Sequence, residues 1–221
     1  MTDLRGKFIV FDGGEGCGKS TQISLLSTAA REAGVETVAV RDPGHTRIGE
    51  MIRAILLNPD HIEMNMRCEM LLYMSARAQM LAEVIRPALD AGKLVLSDRF
   101  VSSTLAYQIG GDGLTAQDIR AVAEIAIGGR WPDLTIILDM PAHRSIERVR
   151  AKFEHKQTTL FGVETKVVKD RIEMRPMEYH ERVRQAFLQQ ATDDPTRYRV
   201  IDADRTIETV HADVLAAVQS V

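Results

Sequence analysis

Cysteine, tryptophan and long apolar runs are scarce in this chain of 221 residues. Its two cysteines, Cys17 and Cys68, cannot form a disulfide framework or a cysteine-based metal site, which is typical of a reducing compartment. No apolar run approaches the ~18 residues of a membrane span, and the first residues, MTDLRGKF, lack the apolar stretch of a signal peptide. The net charge of −3 does not indicate a nucleic-acid or membrane partner. We therefore expect a cytoplasmic globular protein.

Short apolar segments alternate with segments of helical spacing along the whole chain. The apolar segments are continuous rather than alternating in polarity, which is typical of strands buried on both faces of a parallel sheet. They predict strands over 7–12, 36–41, 94–98, 134–139 and 198–202. Helices are predicted over 18–33, 47–57, 64–91, 116–127, 143–153, 170–191 and 207–218. Without repeats or a linker, this order predicts a single α/β domain over residues 1–221, a doubly wound five-stranded parallel sheet with helices on both faces.

A glycine-rich loop follows the first predicted strand. Its residues Gly13-x-x-x-x-Gly18-Lys19-Ser20 fill every fixed position of the phosphate-binding motif, between a strand and a helix as the motif requires. Backbone N–H groups of such a loop converge on phosphate oxygens, while Lys19 neutralises the β- and γ-phosphates and Ser20 binds Mg²⁺. The alternative, a glycine-rich turn without a ligand, fits so complete a motif poorly. We expect a nucleoside triphosphate to contact Gly13, Gly14, Glu15, Gly16, Cys17, Gly18, Lys19, Ser20 and Thr21.

Arginines stand at three further places. Arg41 and Arg99 follow the second and third predicted strands, at the edge where ligands bind in such sheets. Arg77 lies in the middle of an otherwise apolar face of the long helix, and a buried arginine requires an anionic partner. We therefore expect the three guanidinium groups to converge on one dianionic group such as a phosphate. The alternative for Arg77 is a surface side chain, or a pair with Glu69 or Asp98.

Seven stretches span almost the whole chain: the phosphate loop with Glu15, RDPG from Arg41, LLYMSARAQ, DRF from Asp98, AYQ from Ala106, GGRWPDLTIILDMP and DRIE. Together these stretches resemble the thymidylate kinase family of nucleoside monophosphate kinases. The resemblance implies a P-loop fold of the nucleoside monophosphate kinase type with a helical lid at about 141–175. It further implies phosphorylation of dTMP to dTDP with ATP and Mg²⁺, and a homodimer.

The resemblance also implies a role for each residue that matches a family motif. Glu15 would accept a hydrogen bond from the 3′-hydroxyl of the acceptor, Tyr73 would stack on the base, and Tyr107 would exclude a ribose 2′-hydroxyl. Gln108, with Ser103 or Thr104, would recognise the edge of thymine. Alternatively, Tyr107 is a core residue and Gln108 a solvated loop residue. The full acceptor set is Glu15, Arg41, Pro43, Tyr73, Arg77, Arg99, Ser103, Thr104, Tyr107 and Gln108, with the three arginines on the monophosphate.

The resemblance also implies a set of catalytic residues, which are cationic side chains and the ligands of a metal ion. Gly16 stands where some relatives have a loop arginine, so the missing cation is expected from the basic lid, with a solvated basic helix as the alternative. The catalytic set is Lys19, Asp98, Arg99, Arg148 and Arg150, and Ser20 and Asp98 are the expected Mg²⁺ ligands. The chain departs from the family in the inserted stretch FEHKQTTLFGVETKVVK and in His45, where a further glycine is usual.

Two other functions stay open at this stage. One is a kinase for another pyrimidine nucleoside monophosphate, because base identity depends on few atoms. The other is a P-loop ATPase or switch module with a protein partner. The second is disfavoured, because the chain has no Asn-Lys-x-Asp tetrad for guanine and the three arginines would have no role.

Overall fold

The computed structural model describes residues 3–156 and 171–221, with only the backbone described for 150–156. The chain has five described strands, β1 Phe8–Asp12, β2 Thr37–Arg41, β3 Leu94–Asp98, β4 Leu134–Asp139 and β5 Tyr198–Asp202. They form one parallel sheet in the order β2-β3-β1-β4-β5. Each begins and ends within one residue of its predicted bounds. The predicted five-stranded parallel sheet is therefore confirmed.

Helices cover both faces of the sheet. They are α1 Lys19–Glu32, α2 Arg47–Leu57, α3 Met66–Met80, α4 Arg86–Asp90, α5 Val101–Tyr107, α6 Ala116–Ile127, α7 Ala142–Lys156, α8 Met177–Asp193 and α9 Ile207–Val218. A π-helical turn, Leu81–Ile85, joins α3 to α4, and a short 3₁₀ turn, Gly111–Gly113, follows α5. Within the described ranges, no helix has the length and apolar character needed to cross a membrane.

Alternate residues of the central strands face opposite layers of helices. Ile9 and Phe11 of β1 pack in a core that also holds buried residues of α1 and α9. Phe8 and Val10 pack on the other face, with methionines of α3 and apolar residues of α6. Because the side chains of a strand alternate between faces, each central strand contributes to both cores.

Two predicted helices differ from the structure, and one observed helix has no counterpart among the predictions. The long helix predicted over 64–91 contains the π-helical turn just before Pro87, which has no N–H group for the regular hydrogen bond. The helix predicted from residue 170 begins only at Met177, because Pro176 disfavours helical backbone at the residue before it. Helix α5 was not predicted. It follows directly after Arg99 and Phe100 and carries three of the predicted site residues onto the sheet edge, and Gln108 comes directly after it.

Parallel pairing aligns the carboxyl ends of the strands. Arg41 pairs in register with Asp98 across β2 and β3, and Phe11 pairs with Asp98 across β1 and β3. The phosphate-binding loop and the two segments after β2 and β3 therefore leave the sheet side by side, where ligands bind in this class of fold.

Candidate active site

An open cavity of about 870 Å³ lies beyond this edge of the sheet. Every residue of the predicted acceptor set lines it, together with six residues of the phosphate-binding loop and α1, 16–21. Gly13 and Gly14 line a smaller adjoining cavity of about 60 Å³ under the loop. The structure thus brings both predicted half-sites into one continuous space.

The phosphate-binding loop curls in a way that only glycine permits at its first position. Gly13 has φ 128°, and a Cβ atom there would lie 2.4 Å from the carbonyl oxygen of Leu138. Lys19 is buried and donates to the carbonyl oxygens of Gly13 at 3.3 Å and Gly14 at 2.7 Å. Gly18 caps α1 without a side-chain hydrogen bond, so the N–H groups of the first turn remain available to an anion. Burial raises the pKa of the Cys17 thiol, which supports a packing role for this residue.

Ser20 and Asp98 form an oxygen-rich pair beside the loop. The Ser20 hydroxyl donates to Oδ2 of Asp98 at 3.1 Å, and both residues line the large cavity. In the part of the chain that the structure describes, no group of three or more His, Cys, Asp or Glu side chains could hold a metal. Mg²⁺ commonly takes one or two protein oxygens and completes its shell with phosphate oxygens and water. The donor set therefore fits Mg²⁺.

Arg99 is held by two carboxylates at the centre of the cavity. Its Nη2 lies 2.5 Å from Oε1 of Glu15, and its Nη1 lies 3.3 Å from Oδ1 of Asp12. The guanidinium group of Arg99 lowers the pKa of Glu15 to about 2, against the opposite effect of burial. Arg99 also has a left-handed backbone, φ 72°, and such strain is concentrated at functional sites.

Arg77 is almost completely buried at the wall of the cavity, so the surface alternative is wrong. Its Nε donates to Oδ2 of Asp42 at 2.6 Å, and its Nη2 donates to the carbonyl oxygen of Phe100 at 3.0 Å. The carboxylate that pairs with Arg77 is therefore Asp42, and not Glu69 or Asp98 as in the alternative. The sequence does not single out Asp42 as the partner of Arg77, although Asp42 stands in the RDPG stretch directly after Arg41.

Arg41 is the exposed member of the three arginines. Its Nη2 lies 3.0 Å from Oε1 of Glu50 on α2, and the same oxygen accepts from the backbone N–H of His45 at 2.8 Å. His45 is exposed and has φ 66°, a conformation that glycine adopts more readily. All three arginines thus line the cavity while each contacts a carboxylate of the protein.

The residues predicted to contact the base combine aromatic rings with a buried amide. Tyr73 on α3 lines the cavity and is partly buried. Tyr107 lines it too, but its ring also packs on Phe187 with centroids 6.0 Å apart, so it belongs to both the site and the core. Gln108 is buried rather than solvated, and its Nε2 donates to Oε1 of Glu69 at 2.6 Å.

The two hydroxyls beside the base end take part in the charged network. Ser103 donates to Oδ1 of Asp12 at 2.6 Å and accepts from Nη1 of Arg99 at 3.0 Å. Thr104 is buried and accepts from Nη1 and Nη2 of Arg77, each at 3.3 Å. These contacts connect the predicted base-recognising residues to the predicted phosphate clamp.

The predicted lid packs directly on the phosphate-binding loop. A Cβ atom at Gly16 would lie 2.7 Å from the carbonyl oxygen of Ser145 and 2.9 Å from Cγ2 of Val149 on α7. Arg148 lines the cavity, and its Nη2 lies 3.3 Å from Oδ1 of Asp204. The side chain of Arg150 lies outside the described residues, as do the side chains of the inserted stretch.

The fold and the cavity define a class of protein, the P-loop kinases that act on small phosphorylated acceptors. The family model described as "Thymidylate kinase" matches residues 11–214. The chain is 42% identical over 211 residues to the thymidylate kinase of Halothermothrix orenii, covering 96% of this chain and 95% of that relative. It is 44% identical over 218 residues to that of Pelotomaculum thermopropionicum, covering 99% and 95%. The chain belongs to the thymidylate kinase family.

The comparison of structures agrees with this assignment. The crystal structure of thymidylate kinase from Ehrlichia chaffeensis superimposes with a TM-score of 0.72 at 29% sequence identity. The match covers 96% of this chain and 98% of that one. The predicted P-loop fold of the nucleoside monophosphate kinase type is therefore confirmed.

Proposed function

We propose that this chain is an ATP-dependent kinase that converts dTMP to dTDP. The observation that carries the proposal is one cavity lined both by the phosphate-binding loop and by the three arginines of the acceptor set. Membership of the thymidylate kinase family supplies the acceptor. Two phosphorylated substrates can thus lie end to end, which in-line transfer requires.

The loop and α1 hold ATP. Backbone N–H groups of residues 16–21 and the ammonium group of Lys19 face the phosphates, and Lys19 exchanges its present carbonyl partners for phosphate oxygens. Ser20 and Asp98 would hold Mg²⁺. When bound, the ion neutralises charge on the triphosphate and orients it.

The acceptor phosphate lies among Arg41, Arg77 and Arg99. Each arginine already contacts a carboxylate, so its guanidinium group is positioned before substrate binds. On binding, the monophosphate competes with Glu15 for Arg99. The carboxylate of Glu15 is then available to accept a hydrogen bond from the 3′-hydroxyl of the deoxyribose.

The lid supplies the further cation. Arg148 extends from α7 into the cavity while α7 itself rests on Gly16, so a loop arginine has no room at this position. We assign to Arg148 or Arg150 the contact with the transferring phosphoryl group. Closure of the lid excludes water and limits hydrolysis of ATP.

A homodimer and a cytoplasmic location belong to the same proposal. Ile48, Met51 and Ile55 are exposed apolar residues on one face of α2, and Leu71 is exposed on α3, which packs against α2. Exposed apolar residues on adjacent helices are typical of a subunit interface. The unpaired cysteines support a reducing compartment.

The test is an assay of ADP release with ATP and Mg²⁺, using dTMP, dUMP, UMP, dCMP or dGMP as the acceptor. We expect turnover with strong selectivity for dTMP. Arg99→Ala should abolish most of the turnover with dTMP. Arg130→Ala is the control, because the pair of Arg130 with Asp133 lies outside the cavity, and it should leave both turnover and selectivity unchanged.

Two outcomes would contradict parts of the proposal. Equal turnover with UMP would retain phosphoryl transfer but remove the roles given to Tyr107 and Gln108. Slow ADP release that no acceptor stimulates would contradict the kinase function itself.

A further inference from the structure

Glu69 lies at the centre of a buried ion-pair cluster next to the base end of the cavity. Its side chain, on α3, is completely buried. Its Oε2 accepts hydrogen bonds from Nη2 of Arg171 and, at 2.8 Å, from Nη2 of Arg175. Its Oε1 accepts from Nε2 of Gln108 at 2.6 Å. The two oxygens of one carboxylate therefore have separate partners.

The carboxylate determines which way the Gln108 amide faces. A carboxylate paired with guanidinium groups only accepts hydrogen bonds, whereas an amide has a donor end and an acceptor end of nearly the same shape. If the Gln108 amide were reversed, its oxygen would face Oε1 of Glu69 at hydrogen-bonding distance in a buried environment. Two buried acceptors without a proton between them are costly. The amide is therefore held with its nitrogen toward Glu69.

We propose that Glu69 is a positioning residue that fixes the orientation of the Gln108 amide and thereby selects thymine over cytosine. The inference rests on the proposed function. Gln108 lines the cavity, and with one N–H bound to Glu69 it retains the oxygen and the second N–H for a base. Thymine presents an N3–H donor beside its O4 acceptor, which matches this pair. Cytosine presents an N3 acceptor beside a 4-amino donor, which matches only the reversed amide.

The arginines of the cluster have a different role from the carboxylate. Arg171 also donates to the carbonyl oxygen of Leu56 at 3.1 Å, and Arg175 also donates to the Tyr179 hydroxyl. They neutralise Glu69 and attach the segment before α8 to the core. Within the described part of the cluster, the Gln108 amide hydrogen-bonds to the carboxylate and not to either arginine. Mutations can therefore separate orientation of the amide from burial of the ion pairs.

The test is the ratio of the dissociation constant of dCMP to that of dTMP, measured by calorimetry, together with the ratio of kcat/KM for dTMP to kcat/KM for dCMP. In Glu69→Gln the new side chain can either accept or donate, so both orientations of Gln108 are satisfied. We expect both ratios to fall by about tenfold or more, while KM for ATP stays unchanged. Glu69→Asp keeps an acceptor-only group and should keep most of the selectivity.

Arg175→Gln is the matched control, because it weakens the same cluster but leaves the carboxylate on Gln108. It should lower thermal stability without changing either ratio. If Glu69→Gln does not fold, the charge-balanced variant Glu69→Gln/Arg175→Gln replaces it in both measurements. Ratios within twofold of the wild type in a folded Glu69→Gln protein would overturn the inference. Absence of dTMP turnover in the wild type would instead overturn the proposed function, since the binding ratio is measured without transfer.

Discussion

Arg77 and Asp42 form a buried ion pair in which Nε and Nη2 of Arg77 both lie 2.6 Å from the same oxygen, Oδ2 of Asp42. Both side chains are about 1% exposed. The other oxygen, Oδ1, is buried without a hydrogen-bond partner among the described residues. Burial raises the pKa of Asp42, against the opposite effect of Arg77. The pair holds a cation in place beneath the acceptor half of the cavity before any substrate arrives.

Removal of Asp42 should destabilise the protein strongly. Asp42→Ala leaves the Arg77 guanidinium group buried without its counter-charge, and breaking a buried pair in this way costs about 3–5 kcal/mol. Urea unfolding measures the loss. The control is Glu36→Ala, which removes the exposed pair with Lys93 and should cost less than about 1 kcal/mol. A similar small loss in both variants would show that the buried pair is not a stabilising element.

Acid should weaken the protein partly through Glu15. Its pKa is 4.5 in an unperturbed state and about 2 in the folded protein, so the unfolded chain binds the proton first as the pH falls. The stabilisation is therefore complete above about pH 5 and is lost as the pH falls from there toward 2. Glu15→Gln lacks this contribution and should show a shallower decline in the free energy of unfolding between pH 5 and pH 3. Glu63→Gln, a change on an exposed loop, should decline like the wild type.

The Mg²⁺ requirement should depend on Asp98. Loss of a carboxylate at or next to a metal typically lowers metal affinity or activity by about 10–100-fold. In Asp98→Asn we expect the Mg²⁺ concentration for half-maximal activity to rise by at least about tenfold. Activity is measured against free Mg²⁺ at saturating ATP and dTMP. Glu32→Gln, an exposed change on α1, should not alter the curve, and an unchanged curve in Asp98→Asn would exclude Asp98 from the metal site.

Contact between the lid and the loop should make Gly16 intolerant of any side chain. Gly16→Ala combines a left-handed backbone, φ 71°, with a Cβ atom 2.7 Å from the Ser145 carbonyl oxygen. Gly34→Ala is the control, because φ is 76° there but, apart from its chain neighbours, no atom of the described residues lies within 4 Å of the added Cβ. Gly34→Ala should cost about 1–2 kcal/mol from backbone strain alone. Gly16→Ala should lower the free energy of unfolding by more than Gly34→Ala does, and it should also lower kcat/KM for ATP. If the two variants lose the same stability and keep the same kcat/KM, α7 does not constrain the loop.

Local sequence signals predicted the features that depend on neighbours along the chain. Continuous apolar runs predicted the strands, and the motif from Gly13 to Ser20 predicted the phosphate-binding loop. Both features depend on residues that are close together in the sequence. The partner of Arg77 could not be predicted in this way. Asp42 and Arg77 meet only because α3 packs beneath the end of β2, and several carboxylates were available at the same edge of the sheet.

The start of α8 and the position of Gln108 show the same limit. The apolar spacing from residue 170 onward is helical, but Pro176 and the attachment of Arg171 and Arg175 to Glu69 keep the segment before α8 out of the helix. From the sequence alone, a solvated loop position for Gln108 stays open beside its predicted contact with the base. It is buried because the distant carboxylate of Glu69 satisfies its amide, and no pattern within either segment indicates that contact.

The exposed apolar face of α2 and α3 should determine the oligomeric state. Met51 is 60% exposed and Leu71 is 51% exposed, and burial of such residues in a second copy would be favourable by about 25 cal/mol per Å². Met51→Glu places a charge in this surface and should convert a dimer into a monomer of about half the mass in light scattering. Val200→Glu is the control, since Val200 is also exposed but lies on β5, at the sheet edge opposite β2. A dimer that persists in Met51→Glu and dissociates in Val200→Glu would place the interface at the other edge of the sheet, and a monomeric wild type would remove the dimer from the proposal.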